Sequence, residues 1–169
     1  MKKLLTLFIA FTIVSCNDGD FSVPDFDFED EVYGCWDNNI VYVTNSSGTE
    51  AMVITLIDDE LGTEVGTATY DVSSTREVVY RIFNDGIDGN YFCQAIPPTT
   101  PTVTTELIAE SGTISITTSE VYDEDDDTEL TGYSYLITFS HLLFYEDDGD
   151  RIFFETLAFG DEFEVDIDD

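Results

Sequence analysis

Basic residues are almost missing from this sequence, which holds five lysines and arginines against 37 aspartates and glutamates and has a formal net charge of −32. Proteins that bind nucleic acid need clustered lysine and arginine to contact phosphates. Anionic lipid headgroups would be repelled by the same surplus of negative charge. The composition therefore excludes nucleic acid as an expected partner and favours a solvated acidic surface, with divalent cations as candidate counterions.

Residues and motifs that support common catalytic mechanisms are also scarce. The only histidine is His141, and strand alternation places it on one face with Phe139 and Leu143, where we expect a structural residue. The sequence has no Gly-x-Ser-x-Gly, His-Glu-x-x-His or phosphate-loop motif. A pair of carboxylates could hydrolyse a glycoside, but among 37 acidic residues such a pair arises by chance. We therefore expect a non-catalytic protein, with a glycoside hydrolase as the weaker alternative.

The one long apolar stretch stands at the N-terminus. Lys2 and Lys3 precede an apolar run over residues 4–14, which is followed by Ser15 and Cys16. This run is too short to cross a bilayer core, which needs about 20 residues, and its layout is typical of a secretory signal. Residues 1–15 are therefore predicted to be a signal peptide.

The end of this segment, residues 13–16 (IVSC), resembles the lipobox of bacterial lipoproteins. That family usually has leucine at the first of these positions and glycine or alanine at the third. The resemblance implies cleavage before Cys16, a diacylglycerol on its thiol and acylation of the new amino terminus. Several acyl chains on one residue are enough for stable anchoring in a membrane. Cleavage would also remove both lysines, leaving three arginines against 37 acidic residues and a formal charge of −34.

Two cysteines remain after Cys16, namely Cys35 and Cys93. Export makes a disulfide permissible, and an even pair in an exported chain is more often bridged than free. We predict a bridge between these two residues, with two buried free thiols as the alternative. The chain-entropy treatment of such a loop gives a contribution of about 4 kcal/mol to stability.

Short runs of β-branched and aromatic residues, separated by polar turns, make up the rest of the chain. The predicted strands are residues 40–44, 51–57, 64–72, 77–83, 91–96, 102–109, 113–122, 133–145, 152–159 and 163–167. This spacing indicates an all-β protein with a single β-sandwich of about 8–10 antiparallel strands, or alternatively a β-barrel. We expect residues 16–31 to form an acidic tether and residues 32–169 to form one domain.

Four segments of the chain are distinctive: residues 16–20 (CNDGD), 26–28 (FDF), 79–83 (VYRIF) and 91–101 (YFCQAIPPTTP). Together they resemble a group of uncharacterised acidic lipoproteins of flavobacteria (Bacteroidota), and the resemblance covers most of the mature chain. It implies no activity, cofactor or catalytic residue. Acidic residues just after the lipidated cysteine are similar, in that phylum, to a signal for the outer face of the outer membrane. The resemblance thus implies a lipid-anchored outer-membrane protein exposed at the cell surface, with the periplasmic face as the alternative.

Clustered carboxylates in three predicted turns are a candidate calcium site, because hard cations prefer oxygen ligands. The clusters are Asp85, Asp88 and Asn90; Asp123, Asp125 and Asp127; and Asp147, Asp148 and Asp150. None completes an EF-hand loop. Counting from Asp123, the sixth position is Thr128 rather than glycine and the twelfth is Ser134 rather than glutamate.

Aromatic rings form a second candidate site, because sandwich modules often bind sugars through exposed rings and a few polar groups. The candidates are Tyr33, Trp36, Tyr133 and Tyr135. Aromatic residues at alternate positions are more often part of a core or of cross-strand packing. The expected function is thus a non-catalytic binding or structural module of the envelope, with calcium or glycan binding as the alternative.

Overall fold

The structure, a computed structural model, describes residues 28–36, 39–58, 60–96, 98–146 and 149–167. The strands formed by these residues are β1 (Tyr33–Cys35), β2 (Ile40–Thr44), β3 (Glu50–Thr55), β4 (Gly66–Asp71), β5 (Val78–Phe83), β6 (Val103–Tyr122), β7 (Leu130–Tyr145), β8 (Arg151–Ala158) and β9 (Phe163–Asp166). One turn of 3-10 helix covers Tyr91–Cys93. The predicted signal peptide, Cys16 and most of the predicted tether lie outside the described residues.

The strands pair only antiparallel among these residues. Their order in the sheet is β1-β2-β3-β5-β6-β7-β8, with β4 also paired to β6 and β9 also paired to β7. The path stays open at β1 and β8, so the described strands do not close into a barrel. The prediction of an all-β sandwich is therefore confirmed, and the barrel alternative is wrong.

The long strand β6 belongs to both layers of the sandwich. Its first part pairs with β5 up to Ile108, and its second part pairs with β4 through residues 113–118. Between these parts the register against β7 shifts. At Gly112 a Cβ atom would lie 3.1 Å from the Cα of Leu142, so glycine allows β6 and β7 to approach closely at this irregularity. The two strands predicted over 102–109 and 113–122 are therefore one strand with a change of layer at their boundary.

The buried face of β7 changes at His141. The buried residues are Tyr135, Ile137 and Phe139 before it, and Leu142 and Phe144 after it. His141 itself is exposed, and its φ of 54° is the left-handed conformation, which interrupts the alternation of faces along a strand. The expectation that Phe139, His141 and Leu143 share one face is wrong for this reason.

The main core lies between the two layers. Its largest fully buried side chains are Val41, Met52, Ile54, Ile114, Ile116, Ile137, Phe139, Leu142, Phe144, Ile152 and Phe159. Phe28, the first described residue, also packs against this core and forms an isolated antiparallel β-bridge with Asn45. Because apolar burial is the dominant favourable term in folding, this core is what fixes the two layers against each other.

The first layer consists of β1, β2, β3, β5 and the first part of β6. A second apolar cluster covers its outer face. Its buried members are Cys35, Tyr42, Ala51, Val53, Phe83 and Tyr91. A disulfide joins Cys35 to Cys93 within it, which confirms the predicted bridge. The predicted strand over 91–96 is wrong, because Tyr91–Cys93 form a turn of 3-10 helix instead. This turn lets two consecutive rings pack on one surface. The ring centroids of Phe92 and Tyr42 are 4.7 Å apart, and those of Tyr91 and Phe83 are 5.1 Å apart. Consecutive residues of a strand would point to opposite faces.

The hydroxyl of Tyr42 is an unpaired polar group in this second cluster. The residue is fully buried, and its Oη has no hydrogen-bond partner within the described part of the chain. Burial raises the pKa of Tyr42. Tyr42→Phe removes the hydroxyl and keeps the ring, so we expect it to stabilise the protein by about 1 kcal/mol in urea unfolding.

The matched control for this variant is Tyr80→Phe. The Tyr80 hydroxyl donates a hydrogen bond to Oε2 of Glu50 at 2.6 Å, so its removal should cost about 1 kcal/mol. Equal losses of stability in the Tyr42→Phe and Tyr80→Phe variants would contradict the prediction.

Candidate functional site

A pocket opens between the two layers, where β2 faces β7 and β9. It is lined by Trp36, Asn39, Val41, Leu56, Ile57, Glu60, Leu61, Tyr135 and Val165. Its volume is about 210 Å³. Pockets for drug-sized ligands start at about 300 Å³, so this one has room for a single small ring.

Trp36 forms the exposed rim of the pocket. The residue is 40 % exposed, and its ring stacks on Phe163 with a centroid distance of 6.2 Å and an interplanar angle of 14°. A Cβ atom on Gly34 would collide with the six-membered ring of the indole, so glycine at this position lets the ring lie against β1. The indole is therefore held in place by Gly34 and Phe163 while it stays accessible to solvent.

Glu60 is a buried carboxylate in the wall of the same pocket. Its Oε1 accepts hydrogen bonds from Nε of Arg76 at 2.7 Å and from Nη2 of the same guanidinium, and its Oε2 accepts one from the backbone N–H of Ile57 at 2.7 Å. Arg76 also lies 4.8 Å above the Tyr70 ring and donates to the carbonyl of Asp71 at 2.8 Å. The hydrogen bond to Glu60 raises the pKa of Arg76. The negative charge in the wall is thus compensated inside the protein.

Two uncharged polar side chains complete the wall. Nδ2 of Asn39 donates to the carboxylate of Asp58. The hydroxyl of Tyr135 donates to the carbonyl of Leu61 at 3.4 Å, and burial raises the pKa of Tyr135. The amide keeps a second N–H and its oxygen, and the phenol oxygen can accept a hydrogen bond. Both residues therefore retain hydrogen-bonding capacity toward a bound molecule.

The structure brings two of the four predicted aromatic residues together at this pocket, Trp36 and Tyr135, and separates the other two. Tyr33 stacks on Tyr42 at 5.2 Å in the second cluster, and its hydroxyl donates to Glu31, which raises the pKa of Tyr33. Tyr133 is partly buried against the main core. These four residues therefore do not form a row of exposed rings.

No protein-family model, curated protein or solved structure matches this chain. Within its described part, no helix is long and apolar enough to cross a membrane. The function is therefore inferred from the residues and geometry of this chain alone.

Sequence reasoning missed Asn39 and Glu60. Glu60 follows other acidic residues at the end of an apolar run, and nothing in that local pattern separates a buried carboxylate from solvated neighbours. The scarcity of cations was the available signal. Because the chain has only three arginines, a carboxylate partner could be sought for each of them, and Arg76 pairs with Glu60 while Arg81 pairs with Glu106.

Two of the predicted calcium clusters lie in turns whose aspartates bind the local backbone. Oδ1 of Asp88 accepts from the backbone N–H of Asn90 at 3.0 Å. Oδ1 of Asp123 accepts from the backbone N–H groups of Asp125 and Asp126 at 2.8 and 3.1 Å. These bonds are typical of aspartate in turns and explain the residue choice without a metal.

The third cluster is only partly visible. Asp147 and Asp148 lie outside the described residues, and the backbone carbonyl of Asp150 accepts from the N–H of Glu146 at 2.9 Å. Across the described ranges, no three histidine, cysteine, aspartate or glutamate side chains are grouped so that they could hold a metal ion. Calcium binding at these turns stays a prediction.

Proposed function

We propose that this protein is a lipid-anchored, non-catalytic binding module of the bacterial envelope, held in the outer membrane by acyl chains on Cys16 and exposed at the cell surface. The observation that carries the proposal is the N-terminal layout, in which Lys2 and Lys3, a short apolar run and the lipobox-like residues 13–16 follow one another. This order is typical of an exported and processed chain. Acylation of Cys16 would leave the folded domain tethered to a membrane.

The disulfide between Cys35 and Cys93 supports an exported location. Such bonds persist in oxidising compartments and are rare in the cytosol. Cys35 is buried, and the bond ties β1 to the 3-10 helix at Tyr91–Cys93. A bond in this position is part of the folded core, and its spacing differs from that of a Cys-x-x-Cys redox pair.

The distribution of charge supports a domain that faces the aqueous medium. Arg76 forms an ion pair with Glu60, and Arg81 forms one with Glu106. The formal charge of −34 would repel phosphate-rich partners such as nucleic acid. Contact with the membrane is therefore assigned to the acyl chains rather than to the protein surface.

A non-catalytic role is supported by the chemistry of the pocket. A glycoside hydrolase needs two carboxylic acids about 5–10 Å apart, one of which gives or takes a proton. The described wall of the pocket contributes one carboxylate, Glu60, and it is already engaged by Arg76 and by the backbone of Ile57. The pocket is thus better suited to holding a ligand than to cleaving one.

Acylation is tested by replacing Cys16 with alanine. We expect the wild-type protein to incorporate radiolabelled palmitate and to have lost residues 1–15 by mass spectrometry, whereas Cys16→Ala should fall to background label and keep its signal peptide. The physical reason is that the thiol is the acceptor of the diacylglycerol. The double variant Cys35→Ala/Cys93→Ala is the matched control and should keep full label. Label retained in Cys16→Ala would overturn the anchor.

The membrane face is tested separately by protease treatment of intact cells. A surface domain should release peptides from residues 32–169 into the medium without permeabilisation. Release that requires a permeabilised outer membrane would instead favour the periplasmic face.

A further inference from the structure

We propose that the pocket beside Trp36 binds one neutral sugar residue of an uncharged glycan. This inference names a ligand class for the surface module and therefore rests on the proposed function. It depends on four features of the pocket: its size, the exposed indole, the polar groups in its wall and the absence of uncompensated charge among its described lining residues.

The size of the pocket selects a single ring. Its volume of about 210 Å³ is below the range of drug-sized sites. The apolar part of the wall includes Val41, Leu56 and Val165, which lie between the two layers and cannot move apart without opening the core. A longer glycan can therefore insert one residue and must leave the rest of its chain in solvent.

The indole of Trp36 provides a stacking surface for that ring. Sugar rings carry a face of C–H groups that packs on aromatic faces, and tryptophan offers a large rigid surface for such contacts. The indole stacks on Phe163 and lies against Gly34. Because the side chain is already fixed, binding loses little rotamer entropy.

The polar groups of the wall match the hydroxyl groups of a sugar. Asn39 offers an amide N–H and a carbonyl oxygen, and Tyr135 offers a phenol oxygen that can accept a hydrogen bond. Oε2 of Glu60 accepts one hydrogen bond, from Ile57, and a carboxylate oxygen can accept two. A hydroxyl group both donates and accepts, so it can satisfy each of these groups.

The charge of the site selects a neutral ligand. Anionic sugars would be opposed by the protein's formal net charge of −32. A quaternary ammonium group would be attracted by the aromatic rings, but the carboxylate in the wall, Glu60, is already paired with Arg76. A neutral ring gains the stacking and the hydrogen bonds without the repulsion that an anionic ring meets, and it does not need the unpaired carboxylate that a cation would need.

Fluorescence provides a direct test, because Trp36 is the only tryptophan of the chain and its emission reports on this pocket alone. The full chain, purified in a polyoxyethylene detergent, is titrated with mono- and tetrasaccharides of glucose, mannose, galactose and xylose, and with glucuronate and choline. We expect at least one neutral sugar to change the emission with a Kd on the order of 1 mM, and glucuronate and choline to bind at least about tenfold more weakly.

Variants are compared by calorimetry with the sugar that binds best. Trp36→Ala and Asn39→Gly should each weaken binding about tenfold or more. Glycine is chosen because Asn39 has a φ of 52°, which glycine adopts without strain. Tyr145→Ala is the matched control, since Tyr145 is 44 % exposed, close to the value for Trp36, and lies at the end of β7 outside the pocket. The control should bind within about twofold of the wild type.

Three results would overturn the sugar site. They are absence of binding by every neutral sugar at about 10 mM, unchanged affinity in both pocket variants, or tighter binding of choline or glucuronate than of any neutral sugar. Palmitate labelling of Cys16 is measured independently. Failure of sugar binding with intact labelling therefore overturns the sugar site alone, whereas failure of labelling overturns the anchor.

Discussion

Replacement of both Cys35 and Cys93 by alanine is expected to lower the free energy of unfolding by about 4 kcal/mol, equivalent to a fall in melting temperature of roughly 10 °C. The two residues are 58 positions apart, so the bond removes a large loop-closure entropy from the unfolded chain. Urea unfolding at neutral pH measures the effect. The disulfide is thus expected to be one of the largest single contributions to the stability of this domain.

Reduction of the wild-type protein distinguishes the contribution of the disulfide bond to stability from the contribution of the packed sulfur atoms. Cys35 is 4 % exposed, so alanine at this position also removes a buried sulfur atom, whereas a reduced thiol remains in place. Dithiothreitol should therefore lower the stability of the wild type by most of the same amount and leave the double variant unchanged. Equal urea midpoints for the oxidised wild type and the double variant would contradict the prediction.

The buried ion pair between Arg76 and Glu60, the carboxylate in the wall of the pocket, leads to the second large effect. Arg76→Met is expected to cost about 3–5 kcal/mol, because it leaves the carboxylate of Glu60 buried without its cation. The exposed fractions of the two side chains are 15 % for Arg76 and 6 % for Glu60. Chemical unfolding of the variant gives the loss directly.

Two further variants identify the cause of this loss. The double variant Glu60→Gln/Arg76→Met removes both charges. Its loss of unfolding free energy should therefore be clearly smaller than the sum of the losses in the single variants Glu60→Gln and Arg76→Met. Arg81→Met is the matched control, since Arg81 and Glu106 form an ion pair with side chains 29 % and 43 % exposed, and its loss should stay below about 1 kcal/mol. A loss for Arg76→Met no larger than that for Arg81→Met would exclude the buried pair as a major contribution.

Most strands could be predicted because alternation of apolar and polar residues is a local property of the chain. β2 was predicted at residues 40–44 and is found at Ile40–Thr44, and β9 begins at Phe163 as predicted. The helical turn at Tyr91–Cys93 could not be predicted in this way, because its rings pack on side chains from β2 and β5 that are distant in sequence. The change of face at His141 likewise could not be predicted, because it depends on the left-handed backbone conformation of that residue, with a φ of 54°, and not on the alternation of residue types.

The sequence by itself determined the all-β class, the acidic surface and the N-terminal layout, because each follows from composition or from a short-range pattern. It favoured a bridge between Cys35 and Cys93 over free thiols, and the structure contains that bridge. Only the tertiary structure decided which carboxylate is buried and which rings meet. Trp36, Glu60, Arg76 and Tyr135 are far apart in the chain and come together because β6 carries it from one layer to the other. A carboxylate stays buried only beside a compensating cation and hydrogen-bond donors, and that condition is met in space rather than along the sequence.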